Sequence, residues 1–284
     1  AFYNQSNIKR VANGDLGPGM DFFYSKPIML VGKGYDKKKD LSGAPDAALK
    51  QAQQIRLWMT SYLCYQDNKF KENLAREIKS FILKWAKAKA FMKTRKNNSD
   101  SYCCIQDAVL TMNLDMSDFI TAYLIVTKDF PDNKKNKETI VKWFKNYMKK
   151  YGNRHFKKDS VGQFFNQHAI IRDYLNAKIA ILTNNNELFS KSAKRALIVL
   201  AQSTPEGVYP YTAARGQKAM WYSMEMMNDY THLLEVLRAQ GYDLYNYELE
   251  GRSYKKNAEF LMGVWVNYAC LLYTSDAADE GVCV

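Results

Sequence analysis

Residues 74–92 read LAREIKSFILKWAKAKAFM, and their apolar side chains recur at alternating steps of four and three residues. This spacing places the apolar side chains on one face of an α-helix. The face consists of Leu74, Ile78, Phe81, Trp85, Ala88 and Met92. The stretch therefore predicts an amphipathic helix that buries this face against other helices.

The same periodicity recurs along most of the chain. It predicts further helices within 48–62, 108–126, 140–151, 170–181, 193–200, 226–237 and about 254–268. In the helix predicted within 193–200, the apolar face consists of Ala193, Leu197 and Leu200. Breaks are expected at 96–100, 129–135, 152–162, 183–186 and 204–210.

The pattern predicts an all-α fold of seven or eight antiparallel helices with short loops, and no run alternates as a strand would. A helical solenoid and an (α/α) toroid of helical hairpins both fit. The chain lacks a self-similar period of about 34 or 40 residues, which weighs against a repeat array. We expect an irregular, turn-rich segment over the first 45 residues.

Composition narrows the class of protein. The 284 residues are 47% hydrophobic and 25% charged, as in an ordinary globular protein, and 20 Tyr and 14 Phe argue against disorder. No apolar run approaches the roughly 18 residues of a membrane-spanning helix. A net charge of +12 indicates a polyanionic partner, namely nucleic acid, anionic lipid or acidic polysaccharide, unless the excess is only a solvated lysine-rich face.

Both ends of the sequence bear on its origin. The chain begins at Ala1 with no basic-then-apolar leader, so either a signal peptide was removed or the sequence begins internally. Residues 270–280 read CLLYTSDAADE, which resembles the translation of a sequencing adapter. We therefore expect a non-native tail over 270–284 and a truncated native C-terminus. A natural polar tail is the alternative.

Few residues suit a metal site. The only histidines are His155, His168 and His232, and the sequence has no HExxH and no CxxC spacing. We therefore predict no metal and no cofactor.

Two segments carry polar groups in a pattern that suits chemistry. The first, GQFFNQH over 162–168, precedes a predicted helix, so its amide and imidazole groups would meet free backbone N–H groups that favour a bound carboxylate. Alternatively, Asn166 is only an N-cap and His168 is a satisfied, half-buried residue.

The second segment is EGVYPYTAARGQKAMWY, over 206–222. Arg215 and Tyr222 lie seven residues apart, so they share a face if the helix already includes Arg215. A cation beside a phenol favours the phenolate form. The alternative is an ordinary amphipathic helix with Tyr222 in the core.

Together these segments resemble the alginate lyase superfamily, specifically the poly(β-D-mannuronate) lyases of polysaccharide lyase family 5. The family's Asn-Asn-His motif corresponds to Asn166-Gln167-His168, and its Gly-x-x-Pro turn and Arg-x-Gln-Arg-Ala-Leu-x-Tyr segment correspond to 207–210 and 215–222. Weaker matches are NNELF at 185–189, AQGYDL at 239–244 and WAKAKA at 85–90. The resemblance spans about 45–265 and implies the (α/α) toroid, here incomplete, with a catalytic domain over 46–269.

The resemblance implies β-elimination on mannuronate-rich alginate. It assigns Tyr222 as the base and then the acid, and it assigns neutralisation of the uronate carboxylate to His168, an amide and Arg215. The family's catalytic Asn is replaced by Gln167, so either Asn166 or Gln167 supplies the amide. The candidate substrate-binding residues are Lys218, Tyr211, Trp221, Gln163 and Tyr102, with Tyr123 as a further aromatic; the aromatic ones are equally suited to a core.

The implied partner is an anionic polysaccharide, alginate or polymannuronate, bound by a monomer with no nucleic-acid or membrane partner. The implied location is periplasmic or secreted from a bacterium, with no signal peptide in this chain. Two alternatives remain. One is another enzyme on the same toroid, either a lyase for a different polyuronate or a glycoside hydrolase. The other is a non-catalytic polyanion-binding protein.

Overall fold

A computed structural model describes the backbone of residues 43–92, 102–152 and 167–276, with side chains described within 54–92, 112–152, 168–216 and 218–267. These residues are mainly helical, which confirms the all-α prediction. The longer helices are α1 Gly43–Cys64, α2 Asn68–Lys87, α3 Tyr102–Asp129, α4 Lys134–Tyr151, α5 Gln167–Thr183 and α6 Asn186–Ala201. After them come α7 Pro210–Ala213, a 3-10 turn Gly216–Lys218, α8 Ala219–Arg238 and α9 Tyr254–Asp276.

A short antiparallel ribbon precedes α9 and was not predicted from the sequence. Strand β1 Glu248–Leu249 pairs with β2 Arg252–Ser253. Each strand is only two residues long, which is too short to give a readable period of two. Glu250 and Gly251 form the turn between them with φ of 49° and 76°.

Asparagine and aspartate side chains fix where three helices begin. Asp67, Asn133 and Asn185 each accept a hydrogen bond from the backbone N–H three residues later, at 2.7–3.0 Å. Each bond satisfies one of the free donors at a helix N-terminus. The predicted breaks at 129–135 and 183–186 coincide with two of these caps, whereas those at 96–100 and 152–162 lie mostly or wholly outside the described residues.

The chain divides into two compact units. The first contains α1–α4 and residues 178–184 of α5 and its following turn. Aromatic rings dominate its core: Trp85 lies 5.0 Å from both Phe91 and Phe119, and Phe119 lies 6.3 Å from Trp143 between ring centroids. The indole N–H of Trp143 donates to the carbonyl of Ala90 at 2.8 Å, so the buried polar atom of this ring is satisfied.

Helix α2 ends at Lys87, so the predicted helix that continued to Met92 was too long. Lys89 and Phe91 adopt φ of 53° and 60°, in the left-handed region. This turn brings Phe91, which is fully buried, against Trp85. Burial of a phenyl ring contributes about 2 kcal/mol, which offsets the cost of the strained backbone.

The second unit contains residues 167–177 of α5, helices α6 to α9 and the ribbon. The predicted inner face of α8 is confirmed, since Met226, Tyr230, Leu233 and Leu237 are all buried. Tyr230 also donates its hydroxyl to the carbonyl of Ala196 in α6 at 3.0 Å. Among the described residues, no helix is both long and apolar enough to cross a bilayer.

The predicted inner face of α6 was wrong in part. Leu197 is 38% exposed, whereas the buried face carries Ser192, Arg195, Ala196, Val199 and Leu200. The helix is rotated because Arg195 turns inward to pair with Asp173. A prediction from apolar periodicity treats arginine as exposed. It therefore assigned the wrong side of α6 to the core.

Candidate active site

A turn over 204–210 leads into the second candidate segment. Gly207 adopts φ of 95°, and a Cβ atom there would lie 2.2 Å from the carbonyl oxygen of Lys256. The side-chain amide of Asn257 donates to the Gly207 carbonyl at 2.9 Å, and Arg252 donates to the Ser203 carbonyl at 2.7 Å. Only glycine fits this close approach, which holds the turn against the start of α9.

Arg215 and Tyr222 meet, although not in the way the sequence predicted. The expected continuous helix is interrupted: α7 ends at Ala213, Gly216 adopts φ of 59°, and α8 begins at Ala219. The chain therefore turns after Arg215. The guanidinium carbon of Arg215 lies 4.2 Å from the centroid of the Tyr222 ring. This is the geometry of a cation–π contact.

Tyr222 lies at the surface of the unit and not in its core. Its ring is half-buried and runs nearly parallel to that of Trp221, with centroids 5.9 Å apart and 17° between the planes. Trp221 is 59% exposed, and Tyr211 and Lys218 are exposed on the same segment. The structure thus presents aromatic faces and cations together, as binding of an anionic sugar chain requires.

His168 is the second residue of α5 and is half-buried. Helix α5 contacts α8 where the rings of Tyr174 and His232 lie 5.7 Å apart. His168 precedes Tyr174 by six residues, a helical rise of about 9 Å, and Tyr222 precedes His232 by ten, a rise of about 15 Å. Both candidate residues therefore lie on the N-terminal side of this contact in their own helices.

The remaining predicted site residues are only partly described. Gln167 is the first residue of α5 and Tyr102 the first of α3, but their side chains lie outside the described set. Asn166 and Gln163 lie outside the described residues altogether. Tyr123 is buried in the core of the first unit, where burial raises the pKa of its phenol, so it does not present a surface for a sugar.

A buried ion cluster follows one turn after His168. Asp173 accepts from Arg172 at 2.8 Å and from Arg195 at 2.6 Å, and all three residues are buried. Two guanidinium groups therefore share this one carboxylate. The dipole of α5 favours an anion at the N-terminal end of this helix.

A second buried acid lies on α8, seven residues after Tyr222. Burial, together with the smaller effect of the nearby charge of Glu225, raises the pKa of Asp229 to about 8. Asp229 therefore carries a proton over much of the neutral range. Among the described residues, no group of three or more His, Cys, Asp or Glu side chains is placed to hold a metal ion.

Sequence analysis did not identify the polar groups that support the Arg215–Tyr222 pair. Thr212 and Ser223 are buried and hydrogen-bonded to each other at 2.6 Å. Small hydroxyl residues carry little signal by themselves, because they are common on both surfaces and buried helix faces. Arg172 and Asp173 were missed because adjacent opposite charges in a helix usually indicate a solvated face.

Comparison with known proteins gives one family. Residues 35–267, more than half of the chain, match the family model described as alginate lyase. No curated protein sequence matches the chain significantly.

Solved structures give the fold. Alginate lyase A1-III from Sphingomonas species A1 is 15% identical with a TM-score of 0.69, over 93% of this chain and 77% of that one. A variant of alginate lyase A1-III complexed with a tetrasaccharide is also 15% identical, with a TM-score of 0.68 over 93% of this chain and 76% of that one. An alginate lyase from Bacteroides ovatus is 16% identical, with a TM-score of 0.62 over 91% of this chain and 76% of that one. These likenesses show that the chain has the (α/α) toroid fold.

Proposed function

This chain belongs to the alginate lyase family, and on that premise we propose that it cleaves alginate by β-elimination, acting on β-D-mannuronate units. The observation that carries the proposal is the contact between Arg215 and Tyr222, with the guanidinium carbon 4.2 Å from the ring centroid. A surface phenol beside a cation can accept and return a proton next to an anionic substrate.

The difficult step is removal of the proton at C5, which is adjacent to the uronate carboxylate. A carboxylate already carries a negative charge, so its α-proton is only weakly acidic. Charge that develops on the carboxylate must be stabilised by donors already in place. We assign this role to Arg215 and His168, with the amide of Asn166 or Gln167 as a third donor.

Tyr222 takes the C5 proton and returns a proton to the departing 4-oxygen. In mannuronate these two groups lie on the same face of the sugar ring, so one phenol can serve both. The C5–H and C4–O bonds break, a C4=C5 double bond forms, and no water is consumed. Acid–base catalysis of this kind contributes about 10²–10⁴-fold, so preorganised charge supplies much of the remaining acceleration.

The exposed residues beside the pair suit a polyuronate chain. Trp221 and Tyr211 offer faces for sugar rings, and Lys218 offers a cation for a neighbouring carboxylate. Gln163 and Tyr102 stay predicted substrate contacts. A monomer located in the periplasm or secreted from a bacterium also stays a prediction, as do the absence of nucleic-acid and membrane partners and the non-native tail over 270–284.

The proposal is tested with block-defined alginates. Purified protein is incubated with polymannuronate, polyguluronate and polyglucuronate, and the ultraviolet absorbance of the new C=C bond is followed. We expect the fastest rise with polymannuronate. A faster rise with another polymer would reassign the substrate. New reducing ends without absorbance would indicate a hydrolase, and salt-sensitive binding without any product would indicate a non-catalytic polyanion-binding protein.

A further inference from the structure

Two buried hydroxyls that hydrogen-bond to each other belong to residues next to Arg215 and Tyr222 in the chain. The Thr212 hydroxyl lies 2.6 Å from that of Ser223, and the two residues are 1% and 8% exposed. Thr212 precedes Arg215 by three residues, and Ser223 directly follows Tyr222. This hydroxyl pair therefore joins the two segments that carry the cation and the phenol.

The direction of this hydrogen bond follows from the other partner of Thr212. Its hydroxyl also donates to the Tyr209 carbonyl at 3.0 Å. Because a hydroxyl has only one proton, Thr212 must accept from Ser223. Ser223 thus donates across to α7, and a valine at position 212 would leave that buried donor without its acceptor.

Further contacts hold the same segment against α8. The Tyr209 hydroxyl lies 3.7 Å from the sulfur of Met227, which is one turn after Ser223 on the same face of the helix. Next along the chain, the backbone N–H of Arg215 donates to the Thr212 carbonyl at 3.1 Å. The backbone of Arg215 is therefore fixed through Thr212.

The Arg215 side chain itself has little else to hold it. Arg215 is exposed, and within the part of the chain that the structure describes no carboxylate pairs with it. Gly216, with φ of 59°, has no heavy atom within 4 Å of where a Cβ atom would lie. The direction of the guanidinium thus depends on the backbone that the hydroxyl pair holds.

We propose that Thr212 and Ser223 are positioning residues that hold Arg215 over Tyr222 in the geometry that elimination needs. This inference rests on the proposed lyase function. If the inference is correct, loss of the hydroxyl pair lowers turnover because Arg215 is no longer held in place, and not because the protein loses its structure.

The test is a double-mutant cycle between T212V and R215M, assayed on polymannuronate. We expect T212V to lower kcat about fivefold to tenfold, the kinetic equivalent of one net hydrogen bond, with KM changing much less. In the R215M background, T212V should change kcat by less than about twofold, because the group it positions is already absent. T212S keeps the hydroxyl that T212V removes, so its kcat should equal that of the unmodified protein.

T231V is the matched control. Thr231 lies on α8, the helix that also carries Ser223. Its hydroxyl pairs with the hydroxyl of Tyr254 at 2.8 Å and not with the 209–215 segment. This variant loses a comparable contact, so we expect a similar fall in thermal stability with kcat unchanged. If T231V lowers kcat as much as T212V does, the effect is general and the inference is wrong.

The remaining outcomes separate the inference from the proposed function. If T212V lowers kcat by the same factor with and without Arg215, the positioning role is overturned while the lyase function stands. If the unmodified protein gives no ultraviolet signal on any polyuronate, the proposed function fails and the inference fails with it. If T212V does not fold, the double-mutant cycle is measured between S223A and R215M instead. Additive losses of kcat in that cycle also overturn the inference.

Discussion

Replacing Arg215 with methionine separates two roles that the structure allows for this residue. In the first role, the guanidinium only packs on the Tyr222 ring at 4.2 Å. In the second, it also stabilises the negative charge that develops on the substrate carboxylate. Methionine keeps a flexible apolar chain of similar reach, so R215M removes the charge and leaves much of the packing.

The two roles predict very different losses. An exposed cation–π contact contributes about 0.5–1 kcal/mol, which corresponds to roughly a twofold to fivefold change in rate if it is lost at the transition state. Loss of a donor to a developing oxyanion costs about 10²–10³ in kcat. Because Arg215 carries the charge opposite to that of the substrate, we expect the larger loss. The loss of kcat in R215K should lie between these two values, since lysine keeps the charge but not the planar guanidinium.

The assay measures kcat and KM on polymannuronate by ultraviolet absorbance, together with thermal unfolding of each variant. Arg238, the last residue of α8, lies over the ring of Tyr245 at 5.7 Å from the ring centroid and supplies the matched control R238M. We expect this variant to keep its kcat. If R215M retains a kcat within about fivefold of the unmodified protein, Arg215 acts only by packing and the charge-stabilising role is refuted.

Three further predictions concern the surroundings of the pair. D173N should lower the free energy of unfolding by about 3–5 kcal/mol, because two buried guanidinium groups lose their carboxylate, as urea unfolding will show. G216A should cost about 1 kcal/mol in the same measurement, because alanine is strained at a φ of 59°. D229N should remove a pH dependence of stability. In the unmodified protein this carboxyl has a folded pKa raised to about 8, so its contribution is fully present below about pH 4 and lost as pH rises to 8.

Two of these predictions have a control within the chain, and the third has a defined contrary outcome. E187Q breaks an exposed ion pair with Lys191 and should leave the free energy of unfolding almost unchanged, so an equally small effect of D173N would contradict the buried-cluster argument. G263A lies in α9 with open space at its Cβ and should stabilise the protein. If G216A stabilises to the same degree, no strain is present. If D229N keeps the full pH slope between 4 and 8, another group causes it.

The fold was largely predictable because burial of apolar side chains at helical spacing is a strong, repeated signal. Most predicted helices overlap the observed ones. Helix α8, with its buried Tyr230 and Leu233, is an example. Errors arose where a single tertiary contact outweighs the local pattern. Phe91 enters the core through a left-handed turn, and Arg195 turns inward to a carboxylate on another helix.

The candidate site residues stay predictions, and the geometry of the Arg215–Tyr222 pair was not predictable from their spacing. Arg215 and Tyr222 were paired by their spacing in a continuous helix, whereas the chain in fact breaks at Gly216 and brings them together through a turn. The hydroxyl pair of Thr212 and Ser223 depends on how α7 packs against α8, and no local sequence signal encodes that packing. The phenol and the cation were singled out because residues 215–222 resemble a family motif, since an arginine and a tyrosine at this spacing are equally compatible with an ordinary amphipathic helix.

The most direct test of the central claim compares Tyr222→Phe with the unmodified protein on polymannuronate. This change removes one oxygen and keeps the ring beneath Arg215, so folding and substrate binding should persist. Tyr242→Phe, a change at an exposed tyrosine whose ring centroid lies 5.9 Å from that of Phe189, is the matched control and should keep full activity. We predict that Tyr222→Phe yields no unsaturated product while its thermal unfolding is unchanged. Product formation at the rate of the unmodified protein would contradict the assignment of Tyr222 as the base.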